Sequence, residues 1–423
     1  MFRGFSELFN KSNKDLRKRI YITLGFLGIF CLGTNITIPW ASAIVSDLGF
    51  LEIFNLMSGG GLSSFSIFAL GVSPYITASI IMQILQMDII PYFKNLKEEG
   101  YVGKQKINRM TRYLGITIAF LQAYMLSITY LEGAGTVMML QTVVVMTAGT
   151  AFCLWMGDQI TRFGIGNGQS MLIMAGIIQS MPTVFVGAYD AFLNTDFSAF
   201  VGISLFATFI LSYILIIVGI VWVSLAERKI PIQYANRSSS VMSQNQSFLP
   251  LKINSAGVIP VIFASIITTV PATIVALTGN ETAIEFVNNY IIYTSGTGFI
   301  IYVTMIFLFS YIYTYMVMNP EEMSKNLNSR GGYIPGIRPG AATSKYISDI
   351  LGKINLLGSL FLVVLAGIPV VLSLVTKLPS SVTIGGTGIL IVVGVAMETY
   401  RQLQSSLVTR SYKSRRRKKK WKM

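Results

Sequence analysis

The polar residues inside the apolar stretches of this chain are uncharged, and their types and spacing offer no catalytic group. Histidine is absent from all 423 residues, which removes the usual proton shuttle and a common metal ligand. The carboxylates nearest to the apolar stretches stand at their ends, within reach of water: Asp88, Glu132, Asp158, Glu227 and Glu398. Inside the stretches there is no serine with a base, no aspartate pair and no zinc motif. An intramembrane enzyme is therefore disfavoured, and no cofactor is expected.

The apolar stretches do contain uncharged polar residues. The main ones are Ser73, Thr77, Ser79, Gln83, Gln86, Gln122, Asn254 and Ser255. Such residues most often hydrogen-bond one membrane helix to another. They can also hydrate a seam through which a polypeptide passes. Ion-coupled carriers normally place charged residues in their spans, so a carrier is disfavoured as well.

Almost all Lys and Arg residues lie in every second connection between the apolar stretches or in the two terminal segments. The stretches long enough to cross a bilayer, at about 20 residues each, are 20–41, 65–87, 113–132, 137–157, 171–189, 197–225, 255–278, 296–318, 354–375 and 380–400. If these are spans, 32 of the 33 Lys and Arg residues lie on one side, and Lys377 is the exception. Because Lys and Arg near spans are retained in the cytoplasm, a multi-pass inner-membrane protein with both termini inside is predicted.

Composition supports the membrane assignment. The mean hydropathy is +0.61 and only 12% of residues are charged, against about a quarter in soluble domains. The net charge of +15 comes mainly from Lys and Arg in the predicted cytoplasmic loops, where they fix the orientation of the spans. Only the basic run 415–420 contains more positive charge than this orientation requires. That run is interpreted as a tail held near anionic lipid, in preference to a nucleic-acid contact. Cys31 and Cys153 both lie within spans and are interpreted as packing residues without a disulfide.

The ten spans divide into two sets of five. We expect a basic cytoplasmic segment at 1–19, an N-terminal half at 20–190, a C-terminal half at 191–400 and a basic tail at 401–423. With five spans in each half, the second half enters the membrane with opposite topology, and an inverted repeat is an allowed geometry. Two long polar loops, 226–254 and 319–353, are predicted to project towards a soluble partner.

The segment before the second span has an unusual order of residues. An apolar stretch at 54–57 is broken by Ser58 and three glycines before the span begins. A re-entrant segment at about 53–64 fits this order, because irregular backbone at membrane depth must be buried in protein or line a watery cavity. An interfacial loop fits equally. Pro74 and Pro260 inside spans predict kinked helices.

Five short motifs, in order along the chain, resemble the SecY family of protein-conducting channels. The motifs are Phe54-Asn55-Leu56-Met57-Ser58-Gly59-Gly60-Gly61 running on to 67–76, Gly164-Ile165-Gly166-Asn167-Gly168, the loop 226–237, the opening of the seventh span at 254–260, and Pro335-Gly336-Ile337-Arg338-Pro339-Gly340. Together they extend over nearly the whole chain. The resemblance implies an all-α membrane fold of ten transmembrane helices in two pseudo-symmetric five-helix halves, in the bacterial plasma membrane.

The same resemblance implies the parts of a channel. Residues 54–61 would form the plug, and the channel would open sideways between the second and seventh helices. The pore ring would consist of Val72, Ile76, Ile173, Ile177, Ile262 and Ile391. A narrow ring of branched aliphatics empties of water and blocks ions. Val72 is a small member of such a ring and is expected to loosen its seal.

Gate and partner contacts also follow from the resemblance. Thr77, Gln122 and Asn254 would form a polar cluster across the lateral gate, where secretory signals and transmembrane segments leave for lipid. Arg228, Lys229, Arg237 and Arg338 would receive the motor ATPase SecA or the ribosome. SecE and SecG would be the companion subunits. The chain has no Walker-type phosphate loop, so an external motor, translation or the membrane potential must drive transport.

The strongest alternative is a secondary transporter with inverted repeats and a substrate site at the membrane midplane. The scarcity of charge within the spans disfavours it. An intramembrane enzyme is a third alternative, which lacks a pair of nucleophile and base.

Overall fold

The computed structural model describes residues 14–41, 52–86, 90–131, 135–193, 199–234, 247–278, 281–291, 295–376 and 380–420. The first elements are α1 (Lys14–Thr34), α2 (Glu52–Met57), α3 (Ser73–Leu85), α4 (Pro91–Glu98), α5 (Tyr101–Tyr130), α6 (Thr136–Phe163), α7 (Gly168–Leu193) and α8 (Ala199–Leu225). They are followed by β1 (Glu227–Tyr234), β2 (Ser247–Lys252), α9 (Ile259–Thr278), α10 (Glu281–Tyr290), α11 (Gly296–Val317), α12 (Pro320–Ser329), β3 (Gly332–Tyr333), α13 (Ala341–Thr376) and α14 (Ser380–Lys420).

Each of the ten predicted spans overlaps one of these helices. Six apolar helical stretches of the described chain are long enough to cross a membrane: α5, α6, α7, α8, the stretch from Gly296 to Ser329, and α13. Shorter apolar helices occupy Ser73–Leu85 and Ile259–Thr269. The predicted mostly helical membrane fold is therefore confirmed.

Two local expectations were wrong. The predicted second span begins at residue 65, but residues 65–72 form turns and α3 begins only at Ser73. Pro74 and Pro260 do not kink helices, because they stand in the first two positions of α3 and α9. Proline is well tolerated there, since the first N–H groups of a helix have no partner within it.

The chain divides into two compact units. The first contains residues 1–203, 276–279 and 378–423, and the second contains 204–275 and 280–377. The last helix, α14, therefore packs with the first unit, where it lies against α7 and α2. Division by packing does not test the proposed repeat, so the two five-helix halves stay a prediction.

The two long polar loops join in a small α/β module within the second unit. Its sheet has the order β2-β1-β3, and β1 pairs antiparallel with β2 from Glu227↔Lys252 to Ile232↔Ser247. Beneath the sheet, α12 and the start of α13 close a core that contains Ile230, Ile232, Leu251, Leu327, Ile334, Ile347 and Leu351. The sequence-based interpretation had only loops here, and the module gives them a fixed shape.

The glycine-rich motif at 164–168 forms the turn between α6 and α7. A β-carbon at Gly168 would overlap the carbonyl oxygen of Gly157, so the two helices meet backbone to backbone. The Gly168 N–H donates to Thr161 Oγ1 at 2.8 Å, and the Ile165 N–H donates to Thr23 Oγ1 of α1 at 3.0 Å. The turn therefore joins three helices of the first unit.

Candidate functional site

The predicted plug forms a compact segment inside the first unit. After α2, the chain turns through Gly59 and Gly60, both with positive φ. The side chain of Asn55 organises this turn, because its Oδ1 accepts from the Ser63 N–H at 3.0 Å. Leu56, Met57 and Leu62 are almost fully buried. The segment is therefore packed into protein, which is the condition that a re-entrant segment would have to meet.

One face of α7 receives this segment. A β-carbon at Gly176 would overlap the carbonyl oxygen of Met57. One turn further on, the Ser180 hydroxyl lies 3.3 Å from the Leu56 carbonyl oxygen and 3.1 Å from that of Gly176. Only glycine allows so close an approach at position 176. We call Gly176, Gln179 and Ser180 the seat of the plug segment.

Five of the six predicted ring residues belong to the first unit, and all six are buried: Val72, Ile76, Ile173, Ile177, Ile391 and, in the second unit, Ile262. Ile177 follows the seat glycine directly. A β-carbon at Gly388 of α14 would lie 2.9 Å from Ile177 Cγ2, so α14 approaches α7 closely at this predicted ring residue.

The plug segment also approaches Gly71, the residue before Val72 of the predicted ring. A β-carbon at Gly71, next to Val72, would lie 3.5 Å from the Cα of Ser58. Ser58 is fully buried. The plug segment thus touches the residues next to Val72 and next to Ile177. Within the first unit, the predicted plug and the predicted ring are neighbours.

The predicted gate residues are half-buried and lie in different units. Thr77 on α3 and Gln122 on α5 belong to the first unit, and Asn254 belongs to the second. The Thr77 hydroxyl donates to the Ser73 carbonyl of its own helix at 3.3 Å.

The polar side chains of α3 bond mainly along their own helix. Gln83 Nε2 donates to Ser79 Oγ at 3.2 Å and Gln86 Nε2 donates to the Met82 carbonyl at 2.8 Å. Such local bonds compete with bonds to neighbouring helices. The bonds found along α3 leave both expected roles of these residues, joining helices or hydrating a seam, as predictions.

The predicted partner contacts lie on the α/β module. Arg228 and Lys229 are exposed on β1, and Arg338 is exposed in the turn at 335–340. Two glycines with positive φ, Gly336 and Gly340, shape that turn, and Thr343 Oγ1 donates to the Arg338 carbonyl at 2.9 Å. Arg237 lies outside the described residues.

Sequence reasoning missed two polar links between helices. Arg112 Nη2 on α5 lies 3.0 Å from Asp158 Oδ2 on α6. In the second unit, Asn355 Oδ1 on α13 accepts from Ser310 Oγ at 3.1 Å and Thr314 Oγ1 at 2.7 Å of α11. The sequence signal for this second link was a serine and a threonine four residues apart in one span and an asparagine in another, because such residues hydrogen-bond between membrane helices.

The side chains named for the plug segment, its seat and the predicted ring are all apolar or uncharged. Among the described residues no group of three or more Cys, Asp or Glu side chains is placed to hold a metal ion. Cys31 and Cys153 are free, which confirms that they form no disulfide.

Comparison with known proteins decides the family. The SecY family model matches residues 66–400. The chain is 40% identical to the protein translocase subunit SecY of Staphylococcus carnosus over 98% of this chain and 99% of that protein. It is 41% identical to the same subunit of Staphylococcus aureus strain NCTC 8325, over 95% and 96%. The chain belongs to the SecY family.

Solved structures agree on the fold of this SecY-family chain. A protein-conducting channel matches with a TM-score of 0.67 at 20% identity, over 93% of both chains. Canine Sec61 in a ribosome–channel complex from the endoplasmic reticulum matches with a TM-score of 0.63, also at 20% identity and over 93% of both chains. The family and the fold are therefore those that the five sequence motifs indicated.

Proposed function

We propose that this chain forms the protein-conducting channel of a bacterial translocon, through which secretory polypeptides cross the plasma membrane. Membership of the SecY family and the relatives named protein translocase subunits support this function. The observation that supports it best is the close approach of the buried plug segment to Gly71 and Gly176, which directly precede Val72 and Ile177.

The aliphatic ring is the proposed barrier to ions. Val72, Ile76, Ile173, Ile177, Ile262 and Ile391 offer no oxygen to replace the hydration shell of an ion. A narrow apolar constriction loses its water and stops conduction. Side chains of this kind can move apart around a threaded polypeptide. The plug at 54–61 would close the pore at rest and leave its seat when a polypeptide enters.

The lateral gate is proposed to open between α3 and α9. A signal sequence gains free energy when its apolar residues leave water for lipid, at roughly −0.3 to −0.6 kcal/mol for each central Leu, Ile, Phe or Val. Thr77, Gln122 and Asn254 would contribute hydrogen bonds that favour closure, at about 0.6 kcal/mol each. Transmembrane segments would be released into lipid by the same route.

The α/β module is the proposed docking surface for the source of energy. Arg228, Lys229 and Arg338 are exposed on it, and a guanidinium in a rigid turn makes directed contacts with carboxylates or phosphates. Arg237 is proposed to act with them. SecA or the ribosome would dock here, SecE and SecG would complete the channel, and both termini would face the cytoplasm. The chain itself is proposed to be a passive channel without enzymatic activity.

Reconstitution tests this function. The chain, purified with its companion subunits, is placed in vesicles with the motor ATPase, ATP and a radiolabelled secretory precursor. We expect precursor to become protected from added protease, and a precursor with an Arg in its signal core to stay accessible. Vesicles that leave the normal precursor accessible, but take up a labelled small solute, would support the transporter alternative.

A further inference from the structure

Gln179 lies on the seat face of α7 and touches two other parts of the first unit. Its Nε2 donates to Thr34 Oγ1 at 2.9 Å, and Thr34 is the last residue of α1. A β-carbon at Gly59 of the plug segment would lie 3.0 Å from Gln179 Oε1. One carboxamide therefore lies against both the end of the first helix and the turn of the plug segment.

The hydroxyl of Thr34 holds this carboxamide in a defined position. Thr34 is almost fully buried, and its Oγ1 lies 3.0 Å from Gln179 Oε1 and 2.9 Å from the Cys31 carbonyl oxygen. Both polar atoms of the Gln179 amide are thus within hydrogen-bonding distance of one hydroxyl. The amide cannot turn away from Gly59 without losing these contacts.

The chain that follows α1 is also bonded to the residues that come directly after the plug segment. The Ile38 N–H donates to the Phe65 carbonyl at 3.0 Å, and the Ile67 N–H donates to the Ile36 carbonyl at 3.0 Å. This short pairing anchors residues 65–67. The segment after the first helix is therefore bonded to the residues that follow the plug segment, and the first helix itself reaches Gly59 through Gln179.

We infer that Gln179 is a positioning residue through which the first helix keeps the plug in its seat. This inference rests on the proposed function. With Thr34 bonded to it, the Gln179 side chain stands against Gly59 and limits the movement of the plug turn. A displacement of α1 relative to α7 breaks that bond, because hydrogen bonds weaken steeply with distance and angle. The side chain is then free to rotate and the plug turn can leave.

A double-mutant cycle tests the link. Gln179→Leu keeps the approximate size of the side chain without its amide, and Thr34→Val removes the hydroxyl on α1. We expect each to raise the resting ion conductance of the reconstituted channel about fivefold, the factor that corresponds to one net hydrogen bond. If the two residues act through one interaction, the double variant leaks no more than either single variant.

Thr183→Val provides the matched control. It removes a hydroxyl from the same helix, but one that donates to the Ser180 carbonyl of its own helix at 2.6 Å. We expect its resting conductance to stay at the parent level. Additive leaks from Gln179→Leu and Thr34→Val, or no leak from either, would overturn the inference.

A second readout separates positioning from a general loss of structure. Ser64→Cys, in a background with Cys31 and Cys153 replaced by alanine, is labelled with a membrane-impermeant maleimide from the outside. Gln179→Leu should speed labelling about fivefold while the melting temperature of the purified complex changes little. Unchanged labelling in a folded variant would contradict the inference. Normal precursor transport by that variant would leave the proposed function standing.

Discussion

Gly176 of α7 and Met57 of the plug segment meet so closely that a β-carbon on Gly176 would overlap the Met57 carbonyl oxygen. Ile177, the next residue, belongs to the proposed pore ring and is fully buried. Seat and ring are therefore built on consecutive residues of one helix. A displacement of the plug segment must change the packing beside Ile177.

This contact predicts the effect of enlarging residue 176. Gly176→Val forces the carbonyl of Met57 away from α7, and we expect the channel to leak ions at rest. The measurement is the conductance of planar bilayers that contain the purified complex without precursor. Gly28→Val is the control, because a β-carbon at Gly28 meets no atom within 4 Å. If the Gly176→Val channel conducts no more ions at rest than the parent, the plug is not held at this seat.

Much of the fold could be predicted from the sequence. Charge asymmetry and runs of apolar residues identified ten helical stretches, because local hydropathy and the placement of Lys and Arg between the runs can be determined directly from the sequence. The exact start of α3 could not be predicted this way. Residues 65–72 are as apolar as a span, but backbone bonds to Ile36, Ile38 and Gly61 and among themselves hold them in turns.

The proposed lateral gate predicts a change in signal selectivity. Asn254→Leu removes a polar group from the segment before α9, and the closed state of the gate should become less stable by about 0.6 kcal/mol. We expect precursors with less hydrophobic signals to be exported. The assay compares export for a series of signals that differ by single Leu→Ala steps. Ser255→Ala, beside it, is the control, because Ser255 Oγ donates to the Lys252 carbonyl at 2.9 Å. An unchanged threshold in Asn254→Leu would remove Asn254 from the gate.

The exposed turn at 335–340 predicts a defect in motor coupling. Arg338→Glu reverses a charge on the α/β module without touching its core, so we expect motor-driven transport to be abolished in protein that remains inserted and folded. Transport is measured as protease protection of precursor, and insertion as the yield of purified complex. Arg330→Glu, which is also exposed in this module, should transport normally. Normal transport by Arg338→Glu would contradict the assigned role.

The core of the α/β module predicts a loss of stability. Leu351 is fully buried beneath the sheet, and Leu351→Ala should destabilise the module by about 2–5 kcal/mol through lost contacts and a cavity. Limited proteolysis should then cut the loops 226–254 and 319–353 faster than in the parent. Leu357→Ala is the control on the same helix, because the side chain of Leu357 is exposed and does not belong to this core. Equal cleavage rates would show that the module does not depend on this core.

The module shows where sequence reasoning reached its limit. The sequence interpretation treated residues 226–254 as a long polar loop and predicted no strand there. Within the described residues β3 pairs with Gln233 and Tyr234, so β3 does not extend along β1 as far as Pro231, which has no N–H to donate. The seat could not be predicted either, because a glycine that marks a close approach looks like any other glycine.

The central claim is that a dry aliphatic ring seals the resting channel, and single-channel recording of ring variants tests it most directly. Ile76, Ile177 and Ile262 are replaced one at a time by Asn, and Ile177→Val serves as the conservative control. Salt should pass through each resting Asn variant, because a polar side chain keeps water in the constriction, while Ile177→Val stays closed. If all three Asn variants stay as tight as the parent, these residues do not form the barrier.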